Sequence, residues 1–145
     1  LLAALERARR ENSPVGILWL DVDNFKLIND QHGHATGDRT LIAIAEQISN
    51  TLRPYDIASR WGGDEFLILL HPTDTLSLHT LADRLRSTIA AHDAVRTTDG
   101  ATISIRVSIG GTLSQPEESL DTLLQRADEA LYAAKAAGRN RVCIV

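Results

Sequence analysis

The chain has 145 residues, 43% of them hydrophobic and 23% charged, and a formal net charge of −4. That length and balance suit one globular domain with a proper core; the acidic excess argues against a broad nucleic-acid surface, and no apolar run approaches a membrane span. A single cysteine, Cys143, excludes an intrachain disulfide and reads as a small core residue, which fits a reducing cytoplasm. Methionine is absent even at the start, so a piece of a longer chain or a processed product is expected.

The first predicted element is an amphipathic helix over Leu1 to Asn12, with Leu1, Leu2, Leu5 and Ala8 along one face. Val15 to Val22, rich in Val, Ile, Leu and Trp, reads as a buried central strand. Leu41 to Leu52 has a helical period through Leu41, Ile44, Ala45, Ile48 and Leu52, with Gly37-Asp38 as its start signal. Two apolar runs, Ile57 to Trp61 and Phe66 to Leu70, flank Gly62-Gly63-Asp64-Glu65. They predict a hairpin whose tight turn draws positive φ angles from the glycine pair and carries two carboxylates at its tip. A second long helix follows over Leu76 to Ala91, then a polar connection from Asp93 to Ala101. Thr102 to Thr112 alternates as a half-buried strand, with Ile103, Ile105, Val107 and Ile109 on one face. Ser119 to Ala137 is a helix with an apolar stripe of Leu120, Leu123, Leu124, Ala127, Leu131 and Ala134, ended by Gly138, and Arg141 to Val145 is a last strand. Helices on one side of a mostly antiparallel sheet predict an α+β sandwich.

Two acidic sites in this order suggest metal chemistry. Asp21-Val22-Asp23 closes a buried strand, and Asp64-Glu65 caps a hairpin. Magnesium prefers oxygen ligands and keeps several waters, so one or two carboxylates together with substrate phosphates make a sufficient site. Either motif alone reads equally as turn formation or a solvated acidic tip. His34 has no Cys or His partner at metal-site spacing and reads as structural. Trp19, Trp61 and Tyr132 read as packing residues.

Several separated segments together carry a family resemblance. These are Asp21-Val22-Asp23-Asn24-Phe25-Lys26-Leu27-Ile28-Asn29-Asp30, Gly33-His34, Gly37-Asp38, the hairpin, Ala127-Asp128-Glu129-Ala130-Leu131-Tyr132, and Ala134-Lys135-Ala136-Ala137-Gly138-Arg139-Asn140. In type, order and approximate spacing they resemble the GGDEF-domain diguanylate cyclases, from about Val15 to the C-terminus. The whole of 1–145 is expected to be one such domain. The resemblance implies a ferredoxin-like βαββαβ core with added elements, similar to the palm of nucleotidyl cyclases and polymerases. It also implies condensation of two GTP into cyclic di-GMP, with two Mg²⁺ or Mn²⁺ per active site and a two-fold homodimer. A linked sensory or phosphodiesterase domain is implied as well, with no nucleic acid and no membrane contact by this domain. Family members usually carry an Asp-x-Leu-Thr-x-Leu-x-Asn-Arg segment before the first helix, absent here.

Residue by residue, the resemblance assigns metal ligation to Asp21, the Val22 carbonyl, Asp64 and Glu65, with Asp21, Asp64 and Glu65 as the catalytic set. Phosphate contacts fall to the amides of Asn24 and Phe25 and to Lys26, Lys135 and Arg139, with Gly62 and Gly63 also counted among the substrate-binding residues. Asn29 and Asp38 would read the guanine edge, which offers two adjacent donors where adenine offers an acceptor. Independently, Lys135 and Arg139 suit compensation of a helix C-terminal dipole, and Asp38 suits an N-cap. Arg53-Pro54-Tyr55-Asp56, with Arg84, resembles the family's inhibitory product site; alternatively it is an exposed ion pair contributing about 0–1 kcal/mol. The resemblance also admits a catalytically silent domain that binds GTP or cyclic di-GMP as a regulator, whose usual sign is a corrupted hairpin; here the hairpin is intact. A pure dimerisation module would leave Asp21, Asp64, Lys26 and Lys135 without a common purpose.

Overall fold

The computed structural model describes residues 2–71, 74–92, 95–97 and 99–145. Their elements are α1 (Leu2–Glu11), β1 (Gly16–Val22), α2 (Phe25–His32), α3 (His34–Thr51), β2 (Ile57–Arg60), β3 (Glu65–Leu70), α4 (Thr75–Ala91), β4 (Val107–Leu113), α5 (Leu120–Ala136) and β5 (Val142–Ile144). The five strands form one sheet in the order β2-β3-β1-β4-β5. Strand β1 pairs antiparallel with β3 and β4, β2 pairs antiparallel with β3, and β5 runs parallel to β4. Apolar β1 is central, as its composition predicts. Read without α1, α5 and β5, the order β4-β1-β3-β2 with intervening helices is the expected βαββαβ core.

Helices cover both faces of this sheet, where the sequence reading placed them on one. Leu18, Leu20, Phe66, Ile68 and Val107 pack under α3 and α4, through Ile44, Ile48, Leu78 and Leu85. Ile17, Leu67 and Leu69 pack on the other face under α1 and α5, through Leu5, Ala8, Leu123 and Ala127. The cause is visible in β1 and β3: both alternating sets of side chains are apolar, so each face needs a cover. For the same reason β4 is not half-buried. Ser108, Gly110 and Thr112 lie inside, because α5 crosses them so closely that a Cβ on Gly110 would stand 2.0 Å from the Leu131 amide nitrogen. Ile103 and Ile105 join the core, but the regular strand begins only at Val107.

Helix ends differ from the sequence reading in informative ways. Helix α2 was not expected; only Ile28 of its eight residues is buried, so it has no apolar stripe. Gly33, at φ 87°, separates it from α3, which starts at His34, so Gly37 and Asp38 lie inside the helix and neither caps it. Asp74 and Ser119 cap α4 and α5 by accepting from the amides of Ser77 (2.7 Å) and Thr122 (3.1 Å). Leu5 and Ala8 anchor α1, whereas Leu2 is 54% exposed; Leu1 and Asp93 lie outside the described residues. No helix among the described residues is long and apolar enough to cross a membrane.

Candidate active site

Strand pairing brings the two acidic motifs together. Asp21 is opposite Glu65 in the β1–β3 register, and the Val22 amide donates to the Asp64 carbonyl at 3.1 Å. The hairpin turn is longer than expected. Its last strand pair is Arg60 with Phe66, after which the Trp61 amide donates to the Glu65 carbonyl at 2.9 Å. Neither Gly62 nor Gly63 has a positive φ, which corrects the tight-turn expectation. A Cβ on Gly62 would lie 3.1 Å from Glu65 Oε2 and would press that carboxylate aside by a few tenths of an ångström, whereas a Cβ on Gly63 would meet nothing within 4 Å. Arg60, which the sequence reading passed over, braces the turn by donating to the carbonyls of Gly62 (3.2 Å) and Gly63 (2.8 Å). Trp61 leans edge-on against Trp19, with ring centroids 5.5 Å apart.

The electrostatics of this cluster suit a cation. Asp21 is 7% exposed; its Oδ2 forms an ion pair with Lys135, while its Oδ1 is buried with no hydrogen-bond partner among the described residues. Burial pushes the Asp21 carboxyl above its ordinary range, against the lowering pull of the Lys135 hydrogen bond, and the Asp64 charge adds to the rise. Glu65 is raised as well, first by burial and then by Asp21. Crowded carboxylates that raise one another's pKa are relieved by a positive charge. Among the described residues no three His, Cys, Asp or Glu groups form a ready metal cage. A hard divalent ion that takes part of its shell from substrate phosphates needs no such cage, so the orphaned Asp21 oxygen beside Glu65 and Asp64 fits it.

Asp23 behaves differently from Asp21. It is equally buried, but its Oδ1 accepts from the Ser108 hydroxyl (2.7 Å) and its Oδ2 from the Asn140 amide (2.9 Å). The segment it grips is strained: Gly138, Arg139 and Asn140 have φ of 124°, 61° and 46°, and a side-chain-bearing residue held there costs about 1–3 kcal/mol. Lys135 sits in the last turn of α5 and reaches Asp21, not the helix C-terminal carbonyls; Arg139, exposed, follows on the strained turn. Lys26 is exposed in the first turn of α2. Asn24 and Phe25 head that helix, where backbone amides lack intrahelical partners.

Asn29 and Asp38 come from facing helices. Asn29 packs so tightly on α3 that its Oδ1 would lie 1.8 Å from a Cβ on Gly37, and that oxygen is buried without a partner among the described residues. Asp38 lines a cavity of about 1020 Å³ between α3 and β2, shared with Leu41, Ile42, Ser59 and Arg60; Asn29 is not in its lining. A second cavity, of about 450 Å³, brings Arg53, Asp56 and Arg84 together, with Tyr55 and His71 as members the sequence did not signal. Asp56 accepts from the Arg53 backbone amide (3.0 Å), and the Arg53 guanidinium donates to the Tyr55 hydroxyl (2.9 Å). The side chains of Arg53 and Asp56 are therefore not the surface ion pair weighed as the alternative. Both residues line the large cavity too, forming a wall between the two.

A family model described as "Diguanylate cyclase, GGDEF domain" matches residues 1–141. Diguanylate cyclase DosC of Escherichia coli (strain K12) is 38% identical over 138 residues, covering 95% of this chain and 30% of that protein. Diguanylate cyclase DgcP of Pseudomonas aeruginosa is 40% identical over 136 residues, covering 94% of this chain and 20% of that protein. The chain thus spans less than a third of the length of these two relatives. Among solved structures, the GGDEF domain of DgcB from Caulobacter crescentus in complex with c-di-GMP has a TM-score of 0.94 at 32% identity, covering 99% of this chain and 85% of that one. The active GGEEF domain of a diguanylate cyclase from Vibrio cholerae has a TM-score of 0.89 at 35% identity, covering 98% and 89%.

Proposed function

Because the chain belongs to the GGDEF diguanylate cyclase family, we propose that it condenses two GTP molecules into cyclic di-GMP and releases two pyrophosphates. The observation that carries this reading is the convergence of Asp21, Asp64 and Glu65 at one end of β1 and β3, with Asp21 Oδ1 buried and unpartnered among the described residues. In each half-reaction a bond forms between a 3′-oxygen and an α-phosphorus while the bond from that phosphorus to the pyrophosphate oxygen breaks. Asp21, the Val22 carbonyl, Asp64 and Glu65 would hold two Mg²⁺ or Mn²⁺. When bound, such ions neutralise the charge that develops on the phosphoryl oxygens. Glu65, at the hairpin opposite Asp21, would also take the 3′-hydroxyl proton, a hydroxyl beside a divalent ion needing little help from a base.

The remaining residues orient substrate. The Asn24 and Phe25 amides, Lys26, Lys135 and Arg139 meet the phosphates, and the Gly62-Gly63 turn leaves room for them to approach. With substrate bound, the Lys135 ammonium is shared between Asp21 and phosphate oxygens. Asp38 and Asn29 select guanine over adenine. Each protomer of a two-fold dimer presents one GTP to the other, so a monomer binds without condensing. The 1–145 domain works as the output unit of a longer chain with a sensory or phosphodiesterase partner domain. Cyclic di-GMP returns to the cavity of Arg53, Asp56 and Arg84, where guanidinium groups suit phosphate and guanine faces, and inhibits. In support, DgcB's GGDEF domain was solved with c-di-GMP.

The test is incubation with GTP and Mg²⁺ or Mn²⁺ over a range of protein concentrations, resolving cyclic di-GMP from GTP. Rate per protomer should rise with concentration. Absence of product at high concentration with both metals, and also with the upstream family segment supplied, would refute the enzyme reading.

A further inference from the structure

We infer that Asp23 is a positioning residue for substrate phosphate: by gripping the Gly138-Arg139-Asn140 turn it sets where the Arg139 guanidinium stands. This rests on the reading of Arg139 as a phosphate contact. Asp23 lies two residues from Asp21, yet the two carboxylates have opposite circumstances. Among the described residues Asp21 keeps one oxygen without a donor, whereas each Asp23 oxygen has one, from the Ser108 hydroxyl and the Asn140 backbone amide. A carboxylate with a protein donor on each oxygen is held in place by the fold, which suits it to bracing.

What it braces is a turn already tied to α5, by the Gly138 amide on the Lys135 carbonyl (3.2 Å) and the Arg139 amide on the Ala134 carbonyl (3.1 Å), but whose far end at Asn140 is held to the acidic cluster through Asp23. Three successive residues have positive φ, which glycine adopts freely, asparagine with little penalty, and arginine only under constraint. Asp23 itself is pinned, since its amide donates to the Arg106 carbonyl at 2.9 Å. The Asn140 side chain is tethered separately by Arg86, at 3.1 Å. Strand β5 does not depend on Asp23, because it pairs with β4 through Val142, Cys143 and Ile144, and the Thr112 hydroxyl donates to the Val145 carbonyl at 2.9 Å. Loss of the carboxylate therefore removes the tie between Asn140 and the residue after β1, and so loosens the placement of Arg139, while the cap bonds to α5 and the strand beyond stay in place. The residue acts at a distance along the chain: it follows directly after β1, and its effect falls on the connection between α5 and β5.

The test measures binding by calorimetry with two probes in Mg²⁺: 3′-deoxy-GTP, which has the phosphates but lacks the attacking hydroxyl, and guanosine, which has no phosphate. Asp23→Ala should weaken 3′-deoxy-GTP at least tenfold and leave guanosine unchanged. Asp23→Asn, which keeps the volume and one acceptor, should lose less. In an Arg139→Ala background, Asp23→Ala should add no further loss. Thermal melting identifies any variant that fails to fold; Ser108→Ala, which removes one of the two donors to Asp23, then carries the test and should weaken 3′-deoxy-GTP alone by a smaller factor. Equal losses for both probes, or additive losses in the double variant, overturn the role of Asp23. Unchanged 3′-deoxy-GTP affinity in Arg139→Ala overturns the phosphate reading of Arg139 itself, which separates the two failures.

Discussion

Replacing Gly37 with alanine probes the packing behind base selection. The new Cβ would stand 1.8 Å from Asn29 Oδ1, 2.9 Å from Asn29 Cγ and 3.3 Å from Phe25 Cζ. The Asn29 amide would have to withdraw by roughly 1.5 Å to restore ordinary van der Waals separation. Two effects on stability oppose each other: alanine gains about 1 kcal/mol over glycine within a helix, and overpacking costs about 1–3 kcal/mol. The net result is between no change and a loss of about 2 kcal/mol, a fall in Tm of at most about 8 °C for a domain of this size. The effect on binding is more selective. Turning Asn29 away removes one hydrogen bond to guanine, about 0.5–1.5 kcal/mol, or roughly two- to twelve-fold in affinity. Calorimetry with 3′-deoxy-GTP and 3′-deoxy-ATP should show the first weakened and the second unaltered. A Gly37→Ala protein that melts higher by the full helix gain and binds 3′-deoxy-GTP as tightly as before would show that Asn29 does not pack on α3 as described.

Gly110→Ala places a Cβ 2.0 Å from Leu131 N, 2.5 Å from Leu131 Cα and 2.6 Å from Ala130 C, all main chain; the cost should reach or exceed about 3 kcal/mol, and a near-normal Tm would mean that α5 lies farther from the sheet. Asp64→Ala and Glu65→Ala remove partly exposed side chains and should cut turnover by at least about 100-fold, roughly 2.7 kcal/mol of barrier, with unchanged circular dichroism; normal turnover in both would place the metal elsewhere. Arg53→Ala should lower cyclic di-GMP affinity at least about tenfold while sparing GTP turnover, through loss of charge-assisted bonds of about 1.5–3 kcal/mol each; equal affinities by calorimetry would count against the product site. Finally, the folded Asp21 and Glu65 carboxyls keep their protons to a higher pH than unfolded ones, first because of burial. As pH falls toward the ordinary carboxylate range they neutralise early, so Mn²⁺ affinity followed by electron paramagnetic resonance should decline before free carboxylates protonate. The metal-free fold should gain stability over that same window and lose it as pH rises back through the raised values; Mn²⁺ affinity flat down to the ordinary range would oppose the assignment.

The central apolar strand, the acidic hairpin, the helices α3 and α4 and the stripe of α5 were legible in period and composition, which report which side of an element must leave water; in α3 the period erred at Ala45, which is exposed while Ala43 is buried. Its family resemblance also named the acids that the strand register then brought together. Helix α2 left no such trace, since one buried residue in eight makes no stripe. Periodicity also misled at β4, whose polar alternation looked solvent-facing: Ser108 and Thr112 lie under α5, and their hydroxyls are satisfied by Asp23 and the Val145 carbonyl. Gly37-Asp38 looked like a helix start, but the glycine is there because Asn29 needs the space of its missing side chain. Contacts between distant segments settled these points. A local pattern states that a face must be covered but not by what, and pairs such as Asp21 with Lys135 or Asp23 with Asn140, 114 and 117 residues apart, are set by strand order and by how closely α5 crosses the sheet.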